Sequence, residues 1–227
     1  FGINVDGLYE AKELRIPEDS EQFPLLRGQN VSFLNVLKKL DDSAKQQNKT
    51  FKELETEYSK VVYGHREYQV DLDNQQLEAD ALAFEAAGKQ KEADAKRYMK
   101  KKLYLTPAQR LQAENAFNSS TGFQEIKQMQ DAIRFDMLDR MVEAGRITPE
   151  VAERWKNTAG YTPFKRIVEF EKTYSNIPYG PNRGAARQKL MKEFEGSEEF
   201  RSTSLIENFS GLIDWMVGET MRNNAAL

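Results

Sequence analysis

The chain has 227 residues, of which 39% are hydrophobic and 30% charged, and its net charge is -3. This composition is too apolar for a disordered chain, and it gives no overall positive charge that would attract nucleic acid or anionic lipid. The absence of cysteine excludes disulfides, thiolate catalysis and cysteine-based metal sites.

The N-terminal region changes character near residue 30. Residues 1–29 lack clear periodicity and contain several glycines and prolines, which predicts an irregular arm with one helical turn around Leu8–Leu14. From residue 30 onward the apolar side chains follow helical spacing. Asn30 is a suitable N-terminal cap for this helix, and Asn48 is a suitable stop.

The next segment begins with a capping box, in which Thr50 and Glu53 can each satisfy the other's free backbone amide. The helix that follows is predicted to end near Gly64, and a further helix is predicted from Glu67 to Ala87. Gly88 can take the positive φ that closes many helices.

Charge changes sign across Gly88. The charged residues between Glu67 and Ala87 are all acidic, whereas the stretch Lys89–Lys102 is strongly basic. An acidic helix, a glycine turn and a basic helix predict an antiparallel hairpin with charge pairing across it. Each exposed pair would contribute about 0.2–1 kcal/mol.

The second half of the chain shows repeated helix start and stop signals. Thr106-Pro107 and Thr148-Pro149 are helix starts, and Gly145 is a stop. The helices predicted here cover approximately residues 107–118, 123–144, 149–155, 165–174, 185–195 and 203–224.

No alternating runs of Val, Ile or Thr bounded by turns occur, so essentially no sheet is predicted. The predicted fold class is all-α, an elongated multi-helix bundle with an irregular N-terminal arm and little or no sheet. It divides into the arm over 1–29, N-terminal helical hairpins over 30–105 and a second helical region over 106–227.

The ends of the chain suggest a piece of a longer polypeptide. Phe1 opens the sequence with no charged leader before an apolar run, so no signal peptide is predicted. The sequence closes on a helical pattern without a stop signal. The apolar stretch Leu205–Val217 is interrupted by polar residues, so no membrane span is expected.

The sequence predicts no catalytic, cofactor-binding or metal site. His65 is the only histidine, which excludes multi-histidine metal sites and most catalytic triads, and it is interpreted as a helix-boundary residue. Carboxylate pairs such as Glu125 with Asp131, or Glu150 with Glu153, lie on polar helical faces. Solvated surface explains these carboxylates better than a glycosidase-type pair.

Two basic segments are candidates for nucleic-acid contact, namely the stretch 89–102 and the loop 179–187, which precedes a predicted helix. The competing interpretation is a solvated face paired with the acidic helix, together with an ordinary connecting loop. The candidate contacts are Lys96, Arg97, Lys100, Lys101, Lys102, Arg183 and Arg187.

Two blocks of the second half, Leu138–Arg166 and Phe194–Ala225, resemble a family. They are similar to helical regions of large polyvalent proteins of phages and mobile elements, over roughly residues 107–227. The first block has a helix, a Gly-x-Ile-Thr turn and a Tyr-x-Pro segment, and the second has a Gly-Ser turn and a helix ending in Arg-Asn. The positions that carry the resemblance are Gly145, Ile147, Tyr161, Pro163, Gly196, Ser197 and Asn223.

The resemblance implies a non-catalytic structural and interaction module of a large phage virion protein, in the internal core or the genome-ejection machinery. Its partners would be other parts of the same chain and sister virion subunits, with an oligomeric state set by the assembly. Its location would be the capsid interior, with delivery into the host cell as a further expectation. Two alternatives remain open: a DNA-binding segment of such a protein, and a cell-wall lytic or other hydrolase module.

Overall fold

The computed structural model describes residues 13–157 and 205–224, and within them the fold is all-α with one two-stranded sheet. The predicted fold class is therefore confirmed. In chain order the elements are β1 (Leu14–Arg15), a 3₁₀ turn (Pro24–Leu26), β2 (Asn30–Val31), α1 (Phe33–Gln46), α2 (Phe51–Ala86), α3 (Gln90–Tyr98), α4 (Pro107–Ser119), α5 (Thr121–Glu143), α6 (Pro149–Lys156) and α7 (Leu205–Asn224).

The described part of the N-terminal arm is irregular, as predicted, but it contributes to the core. β1 and β2 pair antiparallel, with Leu14 opposite Val31. Leu14 is thus in a strand and not in a helical turn, and the rest of the predicted turn lies outside the described residues. Ile16, Phe23 and Leu26 are buried. Burial of these apolar side chains fixes a segment that has little regular hydrogen bonding of its own.

The cap of α1 was predicted wrongly. Asn30 belongs to β2, and Ser32 caps the helix by accepting a hydrogen bond from the amide of Asn35 at 3.2 Å. Both residue types cap well, so the ladder with β1 decides between them. The stop at Asn48 is confirmed, because this residue has a φ of 53° directly after the helix end.

The predicted helix end near Gly64 is also wrong, since α2 continues without a break over 36 residues. A Cβ atom on Gly64 would lie 2.2 Å from the Cβ of Ala113 in α4. Glycine at this position therefore allows α2 and α4 to approach closely. His65, which follows it, lies inside the helix and is not a boundary residue.

The hydrophobic core forms between α1, the first third of α2, α5, α6 and α7. Its largest fully buried side chains include Trp155, Tyr58 and Phe209, one each from α6, α2 and α7. At about 25 cal/mol per Å² of buried apolar surface, such side chains supply most of the stabilisation of the fold. The core therefore fixes the base of α2.

The second part of α2 leaves this core. No residue from Tyr63 to Ala116 belongs to the core cluster. At 1.5 Å per residue, α2 runs about 36 Å beyond Val62. The helix is followed by Gly88, whose φ of 72° and whose amide hydrogen bond to the carbonyl of Glu85 form the predicted glycine turn. α3 then returns along α2. We call residues 67–105 the hairpin.

The later helix boundaries match their sequence signals. Thr106 and Gln109 form the predicted capping box of α4, Gly145 has a φ of 64° after α5, and Thr148 caps α6. α7 begins within two residues of the predicted position. The helices predicted over 165–174 and 185–195 lie outside the described residues. Within the described ranges, no helix combines the length and the apolar character that crossing a membrane requires.

Candidate interaction surface on the hairpin

Ion pairs connect the two helices of the hairpin, as the charge pattern predicted. Lys96 lies 2.8 Å from Asp80, and Lys100 lies 3.0 Å from Glu78. Arg97 binds both oxygens of Glu85, at 2.5 and 2.9 Å, and also reaches Glu78 at 3.2 Å. Three of the basic residues are thus already engaged within the chain.

These contacts shift the ionisation of the acidic partners. Hydrogen bonds from Arg97 lower the pKa of Glu85 to about 2. Lys100 and then Arg97 lower the pKa of Glu78, and Lys96 lowers that of Asp80. All three carboxylates stay charged well below neutral pH, so the pairing persists over the physiological range.

Acid is expected to loosen this pairing in a defined pH range. Because folding lowers the pKa of Glu85, its contribution is present above the unfolded value near 4.5 and is lost as the pH falls toward about 2. A carboxyl NMR titration should show Glu85 titrating near 2 in the wild type. In Arg97→Ala its pKa should rise toward 4.5, and an unchanged midpoint in that variant would contradict the assignment.

Asn74 attaches the segment after α3 to α2. Its side chain donates to the carbonyl of Lys101 at 2.7 Å and accepts from the amide of the same residue at 2.8 Å. Both hydrogen bonds are to backbone groups of Lys101, whose side chain is exposed. The segment after α3 is therefore held at Lys101 by hydrogen bonds and not by a buried apolar side chain.

Glu67 provides the second attachment, about two turns earlier on α2. Its buried carboxylate accepts from the amide of Tyr104 at 3.0 and 3.1 Å and from the amide of Leu105 at 2.8 Å. The hydroxyl of Tyr63 donates to it as well, at 2.5 Å. A buried carboxylate needs such donors, because an unpaired charge away from water is costly. We call Glu67 and Asn74 the clamp.

A third polar contact joins α2 to the start of α4. The guanidinium of Arg110 donates to Asp71 at 2.8 Å and to the carbonyl of Leu105. Asp71 lies between the clamp residues on the same face of α2, since positions 67, 71 and 74 are one helical turn apart. Polar side chains on one face of α2 thus hold residues 101–110.

Large apolar side chains are exposed on the hairpin. Tyr98 is 92% exposed, Met99 is 61% exposed and Leu82 is 54% exposed. Leu72 and Tyr104 are exposed to a smaller degree. Tyr and Met are enriched in protein interfaces, and their concentration on an element outside the core is the main feature of this surface.

The buried carboxylates of α2 and the single histidine have structural contacts within the described residues. The two buried carboxylates of α2, Glu55 and Glu67, are about 18 Å apart along the helix axis, whereas a glycosidase pair needs about 5–9.5 Å. His65 contacts Glu114 at 2.5 Å and stacks on Phe117 at 4.0 Å, which joins α2 to α4. In the described ranges, no group of three or more acidic or histidine side chains could hold a metal ion.

The carboxylates considered from the sequence have structural partners. Glu125 pairs with Lys39 of α1 at 2.7 Å. Asp131 lies 2.5 Å from Lys127, whose pKa is lowered by burial. Glu153 lies 3.4 Å from Lys156 in the same helix. Each contact connects helices or stabilises one of them.

A buried hydrogen bond adds to this packing. The hydroxyl of Tyr58 in α2 donates to Gln130 in α5 at 2.7 Å. Arg134 donates to the carbonyl of Trp155 at 2.9 Å, which joins α5 to α6. These polar groups lie among the core helices and fix how the helices pack together.

The predicted nucleic-acid contacts fall into three groups. Lys96, Arg97 and Lys100 are ion-paired within the hairpin, whereas no ion pair of Lys101 or Lys102 occurs in the described part of the chain. The ammonium group of Lys102 lies 5.0 Å from the ring centre of Tyr104. The candidates that lie outside the described residues are Arg183 and Arg187.

Three of the positions that carry the family resemblance can be placed. Gly145 ends α5, Ile147 is buried in the core, and Asn223 lies in the last turn of α7. The positions that lie outside the described residues are Tyr161, Pro163, Gly196 and Ser197.

The fold and the geometry of the hairpin are thus defined without reference to a relative. No family model, curated protein or solved structure matches this chain.

Proposed function

We propose that this chain is a non-catalytic structural and interaction module of a large phage virion protein, and that the hairpin is its contact with other proteins. The module packs within its parent chain through the core helices. The hairpin extends from that core toward sister subunits of the internal core or the genome-ejection machinery.

The observation that carries the proposal is the exposure of Tyr98, Met99 and Leu82 on an element outside the hydrophobic core. Single exposed apolar residues are common, but three large ones on a thin projection leave apolar surface in water. Contact with another protein would bury this surface.

The charges of the hairpin favour a protein over nucleic acid. Residues 67–105 contain eight acidic and seven basic residues, and three of the seven basic residues are ion-paired within the hairpin. Nucleic-acid affinity comes mainly from phosphate contacts with cations, and with eight acidic against seven basic residues the hairpin has a net charge of -1 that does not favour them. The DNA-binding alternative is therefore the weaker one.

The phage assignment is supported by the resemblance of residues 107–227 to helical regions of polyvalent proteins. Such regions connect enzymatic modules and need no active site of their own. The buried polar groups of this chain join one helix to another, as expected of a region with a structural role.

The test is photo-cross-linking in assembled particles. A photoreactive amino acid replaces Leu82 in the parent polypeptide, and particles are purified, treated with nuclease and irradiated. We expect the purified particles to contain the chain. We also expect position 82 to form cross-links to virion polypeptides. The same substitution at Leu34, which is equally exposed but lies on α1, should give far fewer.

Two outcomes would contradict the proposal. Absence of the chain from purified particles would remove the virion assignment. Equal cross-linking from positions 82 and 34 would contradict the proposal that the hairpin is the contact with other proteins.

A further inference from the structure

We propose that the hairpin binds an acidic protein surface that has an apolar recess, and that the residues in contact are Tyr98, Met99, Lys101, Lys102 and Tyr104. We call these five residues the docking face. This inference rests on the proposed function and specifies the chemistry of the partner.

The docking face has two exposed anchors at its start. Tyr98 and Met99 close α3 and are among the most exposed large apolar side chains of the described chain. A tyrosine ring buries a large area at a small entropic cost, and methionine adapts to irregular pockets. Together they fit a recess and not a flat polar surface.

The cations next to these anchors determine the charge of the partner. Lys101 and Lys102 are exposed, and they differ from Lys100 because no described carboxylate pairs with them. A partner that places carboxylates opposite them would gain charge complementarity. The rim of the recess is therefore acidic.

The clamp makes this segment a preformed binding element. Asn74 holds both backbone groups of Lys101, and Glu67 holds the amide of Tyr104. Each of these contacts uses the backbone, and the side chains of Lys101 and Tyr104 are exposed. A segment already fixed in one conformation loses less entropy when it binds.

Other occupants fit these observations less well. Lys101 and Lys102 alone would give a nucleic acid few phosphate contacts, and the paired carboxylates of Glu78 and Glu85 lie close to Arg97 beside the face. A second copy of this chain would have to present an apolar recess with an acidic rim. Both occupants are outcomes of the test below.

The test uses the full chain and three fluorescent probes at low ionic strength. The first probe is a peptide of two amphipathic helices joined by a disulfide, with leucine lining the groove between them and glutamate along the rims of that groove. The second has lysine in place of each glutamate, and the third is a 20-nucleotide oligothymidine. By fluorescence anisotropy we expect only the glutamate peptide to bind, with a Kd on the order of 10 µM.

Two variants of the docking face are compared with a matched control. Tyr98→Ser should raise the Kd at least tenfold, and its side chain is so exposed that folding should be unaffected. The double variant K101E/K102E should raise the Kd by a similar factor. Lys91→Glu makes the same type of charge change at an exposed position of α3 and should change the Kd less than twofold.

The inference is overturned by any of four results. The first is that the glutamate peptide does not bind, and the second is that the lysine peptide or oligothymidine binds equally well. The third is that Lys91→Glu weakens binding of the glutamate peptide as much as the docking-face variants do. The fourth is a concentration-dependent self-association of the chain that Tyr98→Ser abolishes. The cross-linking experiment from position 82 is independent of these probes. A chain that cross-links in particles but fails to bind the glutamate peptide would overturn only the chemistry of the partner.

Discussion

Replacing Glu67 with glutamine should destabilise the protein by about 2–4 kcal/mol, even though the side chain keeps its size. Oε2 of Glu67 accepts from the amides of Tyr104 and Leu105, and Oε1 accepts from the amide of Tyr104 and from the hydroxyl of Tyr63. Glutamine has only one acceptor oxygen, and its amide group would face a backbone amide that also donates. A buried donor left without a partner costs about 1–3 kcal/mol, and loss of a charge-assisted bond adds to this.

Urea denaturation measures the loss of global stability, and amide hydrogen exchange measures the loss of the local hydrogen bonds. The midpoint should fall, and the amides of Tyr104 and Leu105 should exchange faster than those of α5. Asp73→Asn is the matched control, because Asp73 lies on the exposed face of α2, and this change should stay within about 0.5 kcal/mol. Unchanged protection of both amides in the glutamine variant would disprove the clamp.

The second large effect is expected at Gly64. A methyl group there would lie 2.2 Å from the Cβ of Ala113, so Gly64→Ala must push α2 and α4 apart. Overpacking of this kind costs about 1–3 kcal/mol or more, although the better helix propensity of alanine returns about 1 kcal/mol. We expect a net loss of about 1–2 kcal/mol.

A double-mutant cycle separates the clash from helix propensity. Ala113→Gly removes the atom that the new methyl group would meet, so the double variant should show a coupling of at least about 1 kcal/mol relative to the two single changes. At Gly122 the nearest atom to a new Cβ is the hydroxyl oxygen of Ser43, at 3.9 Å. Gly122→Ala should therefore be neutral or stabilising, and a similar loss at both glycines would contradict the packing argument.

Local sequence signals predicted the helices well. The capping boxes at Thr50 and Thr106 and the glycines at 88 and 145 act through residues that are near neighbours in the chain. The structure confirms each of them, because the physical cause is contained in four or five residues. The fold class follows from such signals and from the helical spacing of apolar residues.

The errors occurred where distant parts of the chain meet. Gly64 was predicted to end a helix, and only the approach of Ala113, 49 residues later, explains why it lies inside one. Ser32 replaced Asn30 as a cap because a strand from the arm pairs with Asn30. Ala113 and the strand that pairs with Asn30 are both too distant in the sequence to be inferred from the residues around Gly64 or Asn30.

The candidate surface was predicted in part. The change of charge sign across Gly88 was enough to predict charge pairing between the two helices, and the structure shows that Lys96, Arg97 and Lys100 form the pairs. The clamp was missed, because the groups that Glu67 and Asn74 bind belong to the backbone and have no sequence signature. Polar residues at helical spacing on a face that should be buried were the one available signal.

The position of the hairpin outside the hydrophobic core determines how it responds to temperature and salt. Exposure of apolar surface causes the large heat-capacity change of unfolding, and the hairpin has little of this surface to expose. Its local opening should depend weakly on temperature and strongly on ionic strength, whereas the core should show the opposite dependence. One polypeptide thus combines two parts whose stabilities are set by different properties of the solvent.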